Sequence, residues 1–386
     1  MKATEESILE ELSEHERSGD VRSRAVALER LADIYEARGE LDEALRIWQE
    51  QLLIFEGLGD AGERAVTMSR IADIYQSRGE LDEALRIRRE EQLPVFEKLK
   101  DVRSCAVTMG QIAGIYETRG ELGKALRIRQ EEQLPLYKKL KDIRACAVTM
   151  SKIADIYQRR GNFDEALRIR QEEQLPRFKK LKDARGCAIA MGQIADIYQR
   201  WGTYSEALRI RLEEQLPVFE KLKDTRSCAV TMGQIADIYE IRGKLDEALR
   251  IQQEQLSVFE KLGDARDCAF TMGKIAGIYQ RRGKLNEALR MYTESLAEMQ
   301  RQQDVRSCAY LSYQIALVLT KKKRPAEALE ICQKQALPLS VRLKDREFIS
   351  MVLSRIAKLL VRLGRAKEAA AIRKNPKKYV RDCSSQ

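Results

Sequence analysis

The motif Ile-Ala-Asp-Ile-Tyr, or a close variant of it, begins at Leu31, Ile71, Ile112, Ile153, Ile194, Ile235 and Ile275, with degenerate copies at Ile315 and Ile356. The intervals are 40, 41, 41, 41, 41, 40, 40 and 41 residues. Self-similarity at such a period overrides the domain estimate that 386 residues would otherwise suggest. Each unit has to be one supersecondary element that buries its apolar face only by stacking on its neighbours.

The fourth unit shows what that element is. Val148, Ile153, Ala154, Ile156 and Tyr157 form an apolar face at helical spacing that runs up to Arg160-Gly161, and glycine there is a helix C-terminal signal. A second helix opens at Asn162-Phe163-Asp164-Glu165, with acidic residues suited to a helix N-terminus. It carries Ala166, Leu167, Ile169, Leu175, Phe178 and Leu181 inward. With 34% charged and 6% aromatic residues, the composition fits amphipathic helices and predicts no strand.

The 41-residue units carry a proline within the second helix, at Pro94, Pro135, Pro176, Pro217 and Pro338, whereas shorter units have residues such as Leu53 and Ser257 there. Proline lacks an N–H and clashes with the carbonyl four residues back. The extra residue therefore predicts a bend or a π-type widening before each proline, a structural feature rather than a functional one.

The order small residue, tyrosine, glycine, then Glu-Ala-Leu (Ala154, Tyr157, Gly161, Glu165, Ala166, Leu167) resembles the tetratricopeptide repeat superfamily. The repeat length resembles the longer class seen in kinesin light chains, spindle-orientation adaptors and bacterial repeat proteins associated with caspase-like peptidases or defence systems. The resemblance implies an all-α, right-handed superhelical solenoid of about nine helix-turn-helix repeats, with the first helices lining a concave groove. The boundaries expected are an N-terminal capping helix over 1–20, seven regular repeats over 21–302, two divergent repeats over 303–374 and a basic tail over 375–386.

Catalysis is not expected. The one histidine, His15, falls in a charged helix near the N-terminus, so neither a Ser-His-Asp arrangement nor a two-histidine zinc site is expected, and no phosphate-binding glycine loop occurs. Carboxylates such as Asp82 and Asp164 lie four residues before Arg86 and Arg168, as ordinary helix-face pairs. No cofactor or metal is implied. Cys105, Cys146, Cys187, Cys228, Cys268 and Cys308 recur with the period, so equivalent thiols sit about 8–10 Å apart on stacked helices, too far for disulfides or a shared metal. They are expected to be buried small residues in a reducing compartment. No apolar stretch is long enough to span a membrane, and the first residues lack a leader pattern, so a cytoplasmic location is expected.

In the groove that the resemblance implies, the informative positions lie two before, two after and six after the motif start. The first holds Ser69, Gly110, Ser151, Gly192, Gly233 and Gly273. Glycine costs about 1 kcal/mol in a helix, so its repetition points to close packing of adjacent first helices or to an open groove floor. The second holds Asp33, Asp73, Asp155, Asp196 and Asp237, interrupted by Gly114 and Gly277, an acidic ladder able to attract a basic segment. Asp155 and Asp196 have Arg159 and Arg200 four residues on as partners within the helix, and Asp33, Asp73 and Asp237 lack one. Arg281 continues the third position. A chaperone-tail clamp, which needs Lys and Asn at such sites, is not expected.

The last two units differ. Tyr310, Tyr313, Leu317 and Lys321 replace the smaller or charged residues of earlier units and are candidate interface anchors. Charge is also uneven: residues 301–386 hold 20 Lys and Arg against 7 Asp and Glu, and the 300 residues before them hold 50 against 53. The basic end includes Lys321 to Arg324 and, in the tail, Lys377 and Arg381. The function expected is a scaffold or adaptor that holds a protein or peptide segment in the groove. Two alternatives stay open: a regulatory or sensor subunit of a bacterial defence or signalling assembly, with a caspase-like peptidase as its companion, and nucleic-acid contact through the basic end.

Overall fold

The computed structural model describes residues 2–376 and 378–380, so Lys377 and the tail from Arg381 onward lie outside the described residues. Every regular element among the described residues is helical, arranged as an all-α repeat solenoid in two compact units, Met1–Ala190 and Met191–Gln386. No described helix is long and apolar enough to cross a membrane.

In the first unit a lone helix, Lys2–Ser18, lays Ile8 and Leu12 against Ala27 and Leu31 of the first helix of repeat one, Val21–Arg38. First helices follow at Ala61–Ser77, Val102–Thr118 and Ile143–Arg159. The second unit continues the series with Thr225–Ile241, Ala265–Arg281, Val305–Lys321 and Arg346–Arg362. Between these two sets lies the helix Ala184–Arg200. The alanines of the motif and of Glu-Ala-Leu, such as Ala154 and Ala166, are fully buried, because only a methyl group lets the two helices of a repeat approach closely at those points.

Each first helix begins at an aspartate that escaped the sequence reading. Asp20, Asp60, Asp101, Asp142, Asp183, Asp224, Asp264, Asp304 and Asp345 accept a hydrogen bond from the N–H three residues on, at 2.8–3.2 Å. The capping bond from Ala145, aided by Arg103, holds the Asp142 carboxyl below the usual range, and the bonds from Ser104 and Ser307 do the same for Asp101 and Asp304.

The prolines act as the residue count predicts. The segments Ile87–Gln92, Ile128–Gln133, Ile169–Gln174, Ile210–Gln215 and Cys332–Ala336 are π-helical. In each, the residue before the proline donates its N–H to the carbonyl five residues back, as Leu93 does to Arg88. Widening the turn takes the proline ring off the carbonyl that would block it. The second helices without proline, Leu41–Gly57, Leu245–Leu262 and Leu285–Arg301, are regular.

The periodic cysteines are free, with Cys105, Cys146 and Cys308 buried and Cys187, Cys228 and Cys268 half-buried; burial raises each thiol. Two expected pairings, Asp82 with Arg86 and Asp164 with Arg168, are corrected. Arg86 and Arg168 bridge Glu83 and Glu165, each at 2.6 Å and one turn back, and Asp82 instead pairs with Arg119 of the next repeat. The three-residue spacing sets the shorter glutamate-to-arginine reach.

Two outcomes follow. Deleting Glu172 while keeping Pro176 should lower the melting temperature by several degrees, because the proline then faces a carbonyl at normal helical spacing at a cost of about 3 kcal/mol; deleting Glu172 together with Pro176→Ala should recover much of that loss. Because the capping carboxyls are depressed when folded, stability should hold above the unfolded aspartate value of about 3.9 and fall as pH drops through the folded values. Asp142→Asn, which keeps the cap, should make urea-unfolding stability less steep below pH 4.

Candidate functional site

The small residue two before the motif seats the second helix of its own repeat. A Cβ added to Gly110, Gly192 or Gly233 would meet the amide nitrogen of Gln133, Gln215 or Gln255 at 2.3, 2.3 and 2.4 Å. These glutamines are buried, so in those repeats the glycine neither packs adjacent first helices nor opens a groove floor. Both expectations are corrected by the same cause: the second-helix amide fills the vacancy.

The acidic ladder is also spoken for. Asp73, Asp155 and Asp196 each bind, at 2.5 Å, the guanidinium of a buried arginine from the second helix of the same repeat: Arg88, Arg170 and Arg211. These arginines stand in the π-helical segments. In repeat three, where the ladder has Gly114, Arg129 turns to Glu117 at 2.7 Å. Burial pulls the Arg88 and Arg211 guanidinium groups below their usual values, and the aspartates pull them back. The within-helix pairing expected for Asp155 with Arg159 gives way to the buried partner, since a guanidinium out of water must be satisfied first. Arg159 instead donates to the Glu117 carbonyl at 3.0 Å, and Arg200 is exposed at the end of its helix. Asp237, whose repeat has Gln252 in place of the arginine, is bound by Lys274 of the next repeat at 2.8 Å.

Repeat seven breaks the seam. Gly273 keeps the small position, but the glutamine that fills it elsewhere is Ser295, whose hydroxyl turns away to the Ala269 carbonyl at 2.7 Å. Gly277 removes the ladder carboxylate as well, leaving Tyr292 where other repeats bury an arginine. The result is a cavity of about 620 Å³ between the first helices Ala265–Arg281 and Val305–Lys321. Phe270 and Tyr310 stand at this cavity 57% and 53% exposed. Tyr292, whose hydroxyl lies beside Gly277, and Gln280 line it, and the buried Oε1 of Gln280 has no hydrogen-bond partner among the described residues. Burial raises the Tyr292 hydroxyl above its usual value, with Tyr310 and Glu240 adding to the effect, so it stays protonated.

Four of the sequence candidates meet here: Tyr310, Lys321, Arg281 and Asp237 all line the cavity. Arg281 pairs with Glu240 at 3.2 Å, and Lys274 lies over the Phe270 ring at 5.2 Å. Leu317 lies next door, lining a smaller hollow of about 470 Å³ with Lys321, Arg355 and Arg362. Tyr313 is corrected. It is only 7% exposed and packs edge-on against Phe348 at 5.7 Å between ring centroids. Repeat eight has buried Ala336 where other repeats have the seam glutamine, so the tyrosine takes an inward position that glycine holds elsewhere. Phe270, Tyr292 and the Gly273–Ser295 pairing escaped the sequence reading; their signal was the loss of glutamine from one copy of an otherwise constant seam.

This geometry defines a helical-repeat protein with an aromatic-flanked cleft of mixed apolar and polar lining on its first helices. Tetratricopeptide repeat family models match residues 23–90 and 227–300, and a second such model matches 149–179. Over these segments the chain carries tetratricopeptide repeats. No curated protein matches it. Among solved structures, it resembles a signal transduction ATPase with numerous domains that carries a tetratricopeptide repeat sensor, from Pyrococcus horikoshii, at 16% identity and a TM-score of 0.59. That match covers 90% of this chain but only 55% of the other. The apo quorum sensor NprR from B. thuringiensis matches at 15% identity and a TM-score of 0.57, over 91% of this chain and 99% of that one. Aspartyl phosphate phosphatase F from Bacillus subtilis matches at 14% and 0.54, over 90% and 91%. At such identities the likeness is one of fold.

The buried pairs make the ladder a stability feature. Asp196→Ala should cost about 1–3 kcal/mol in urea unfolding by leaving the Arg211 guanidinium without its carboxylate. The double variant with Arg211→Met should recover most of that loss.

Proposed function

We propose that this protein is an interaction module that holds a segment of another protein in the cleft of repeats seven and eight. The observation that carries this reading is the cavity itself, opened by Gly273, Gly277 and Ser295 and flanked by two exposed aromatic rings. A volume near 620 Å³ matches a bound peptide side chain with part of its backbone, and pockets of this size with a few converging polar groups are the usual seats of ligands. Two exposed aromatics at the rim of one cavity make a local apolar patch of the kind that marks interaction sites. The tetratricopeptide repeat family supports a protein or peptide partner, because its solenoids present extended concave surfaces.

A second reading builds on the first: the chain serves as the recognising part of a larger regulatory assembly. Its support is the shared fold with a repeat sensor of which this chain spans about half the length, 55%, and with a quorum sensor.

Ser295→Gln tests the cleft. The glutamine can keep the bond to the Ala269 carbonyl, since Gln51 makes the equivalent bond to Ala25 at 2.9 Å, and it refills the space beside Gly273. Selecting a phage-displayed random dodecapeptide library on the full chain should yield peptides that lose at least tenfold in affinity for Ser295→Gln while the melting temperature is kept. Tyr310→Ala should cost them about 2 kcal/mol. Selected peptides that bind Ser295→Gln as well as the parent would place the site elsewhere.

A further inference from the structure

The cleft does not end at Tyr310. Gln280 and Lys321 belong both to the main cavity and to the hollow lined by Leu317, Thr320, Arg355 and Arg362, and Thr320, Arg355 and Arg362 reach on to Lys358 and Arg373. Along this path the net charge rises from neutral to positive. At its start, Lys274 and Arg281 are neutralised by Asp237 and Glu240. At its far end, Lys321, Arg355, Lys358, Arg362 and Arg373 have no ion-pair partner among the described residues, and the buried Nε of Arg355 has no hydrogen-bond partner there. The helix Val305–Lys321 contains no carboxylate, and Arg346–Arg362 contains only Glu347, in its first turn. The ladder position records the same trend, from Asp196 and Asp237 through Gly277 and Leu317 to Lys358.

Resting on the cleft reading above, we infer that the occupant is an acidic polypeptide segment bound in one direction. Its main chain lies on the floor left open by Gly273 and Gly277, within reach of Tyr292 and Gln280, and its carboxylates lie over Lys321, Arg355 and Arg362. The unpartnered Oε1 of Gln280 asks for a donor and the Tyr292 hydroxyl can donate or accept, which is what a peptide N–H and C=O supply. Arginine at two of the cationic positions suits forked contact with carboxylates. A nucleic-acid strand fits less well, because it carries a negative charge at every phosphate and would set some of them against Asp237 and Glu240.

Fluorescence anisotropy on the full chain with three labelled probes tests this: a peptide of one phenylalanine followed by alternating glycine and glutamate, the same peptide with glutamine for glutamate, and single-stranded decathymidylate. The glutamate peptide should bind at least tenfold more tightly than the other two. Lys321→Gln with Arg355→Gln should remove that preference and leave the glutamine peptide unchanged. Tyr292→Phe should weaken both peptides alike, by about threefold, as loss of one hydrogen bond does. Should the double variant not fold, the probe ranking on the parent chain still decides. Equal affinity for the two peptides, tighter binding of decathymidylate, or no binding of the glutamate peptide at about 1 mM, the weak end of specific recognition, overturns the inference. If the two peptides bind equally and both are lost in Ser295→Gln, the acidic preference falls while the cleft stands.

Discussion

The fold turns on one exchange of volume between the two helices of a repeat. A first helix gives up its side chain at Gly110, Gly192 or Gly233, and the second helix of the same repeat fills the gap with Gln133, Gln215 or Gln255. Glycine lowers helix stability by about 1 kcal/mol, so the exchange persists only where the close approach recovers more than that in packing. Since the seam recurs, a change on one side of it is felt as a void or a clash. Repeat seven keeps the glycine and loses the glutamine, which makes a cavity; repeat eight replaces glycine with Tyr313 and glutamine with Ala336, which closes the seam again with the large side chain on the other helix. One packing rule therefore accounts for the glycine–glutamine repeats and for the opening in repeat seven.

The buried arginines of repeats two to five stand at the inward position that holds Trp48, Gln252 or Tyr292 in the regular second helices, seven residues from the helix start and ahead of the extra residue. A guanidinium at 0% exposure, as in Arg88, needs a carboxylate within reach. The aspartate ladder supplies it from the first helix, and where Gly114 interrupts the ladder Glu117 stands in. The row of acids that looks like a binding surface in one dimension is thus half of an internal ion-pair system in three.

Period, helix pairs and the proline widening were legible because they rest on local rules: spacing of apolar residues, glycine at helix ends and the geometry of proline. The cavity-lining residues Tyr310 and Lys321 were legible as departures from a repeated pattern. Tyr313 was misplaced and the ladder misread for one reason. A position relative to the motif says which face of the helix a residue occupies, but whether that face meets solvent depends on the size of what the second helix puts opposite it, 15–26 residues away. Phe270 and Tyr292 were missed on the same ground, since neither departs from helical patterning by itself. Their meaning comes from the neighbours that are small.

A row of equivalent binding positions has a difficulty that this chain resolves at one end. Repeats two to five are so alike that a segment bound along them would find the same contacts after a shift of one repeat, and no register would be preferred. Differences that occur once remove the degeneracy. The cavity at Gly273 and Ser295 occurs once, and so does the reversal from Asp237 to Lys358 along the ladder position. Together they define an origin and a direction, because an apolar or main-chain anchor at the cavity and charge at the far end cannot both be satisfied by a ligand that slides or turns around. Under the proposed reading, the ion pairs of the regular repeats tie each repeat's own two helices together while repeat seven departs from the seam, which is how a repetitive sequence would come to carry a site with one register.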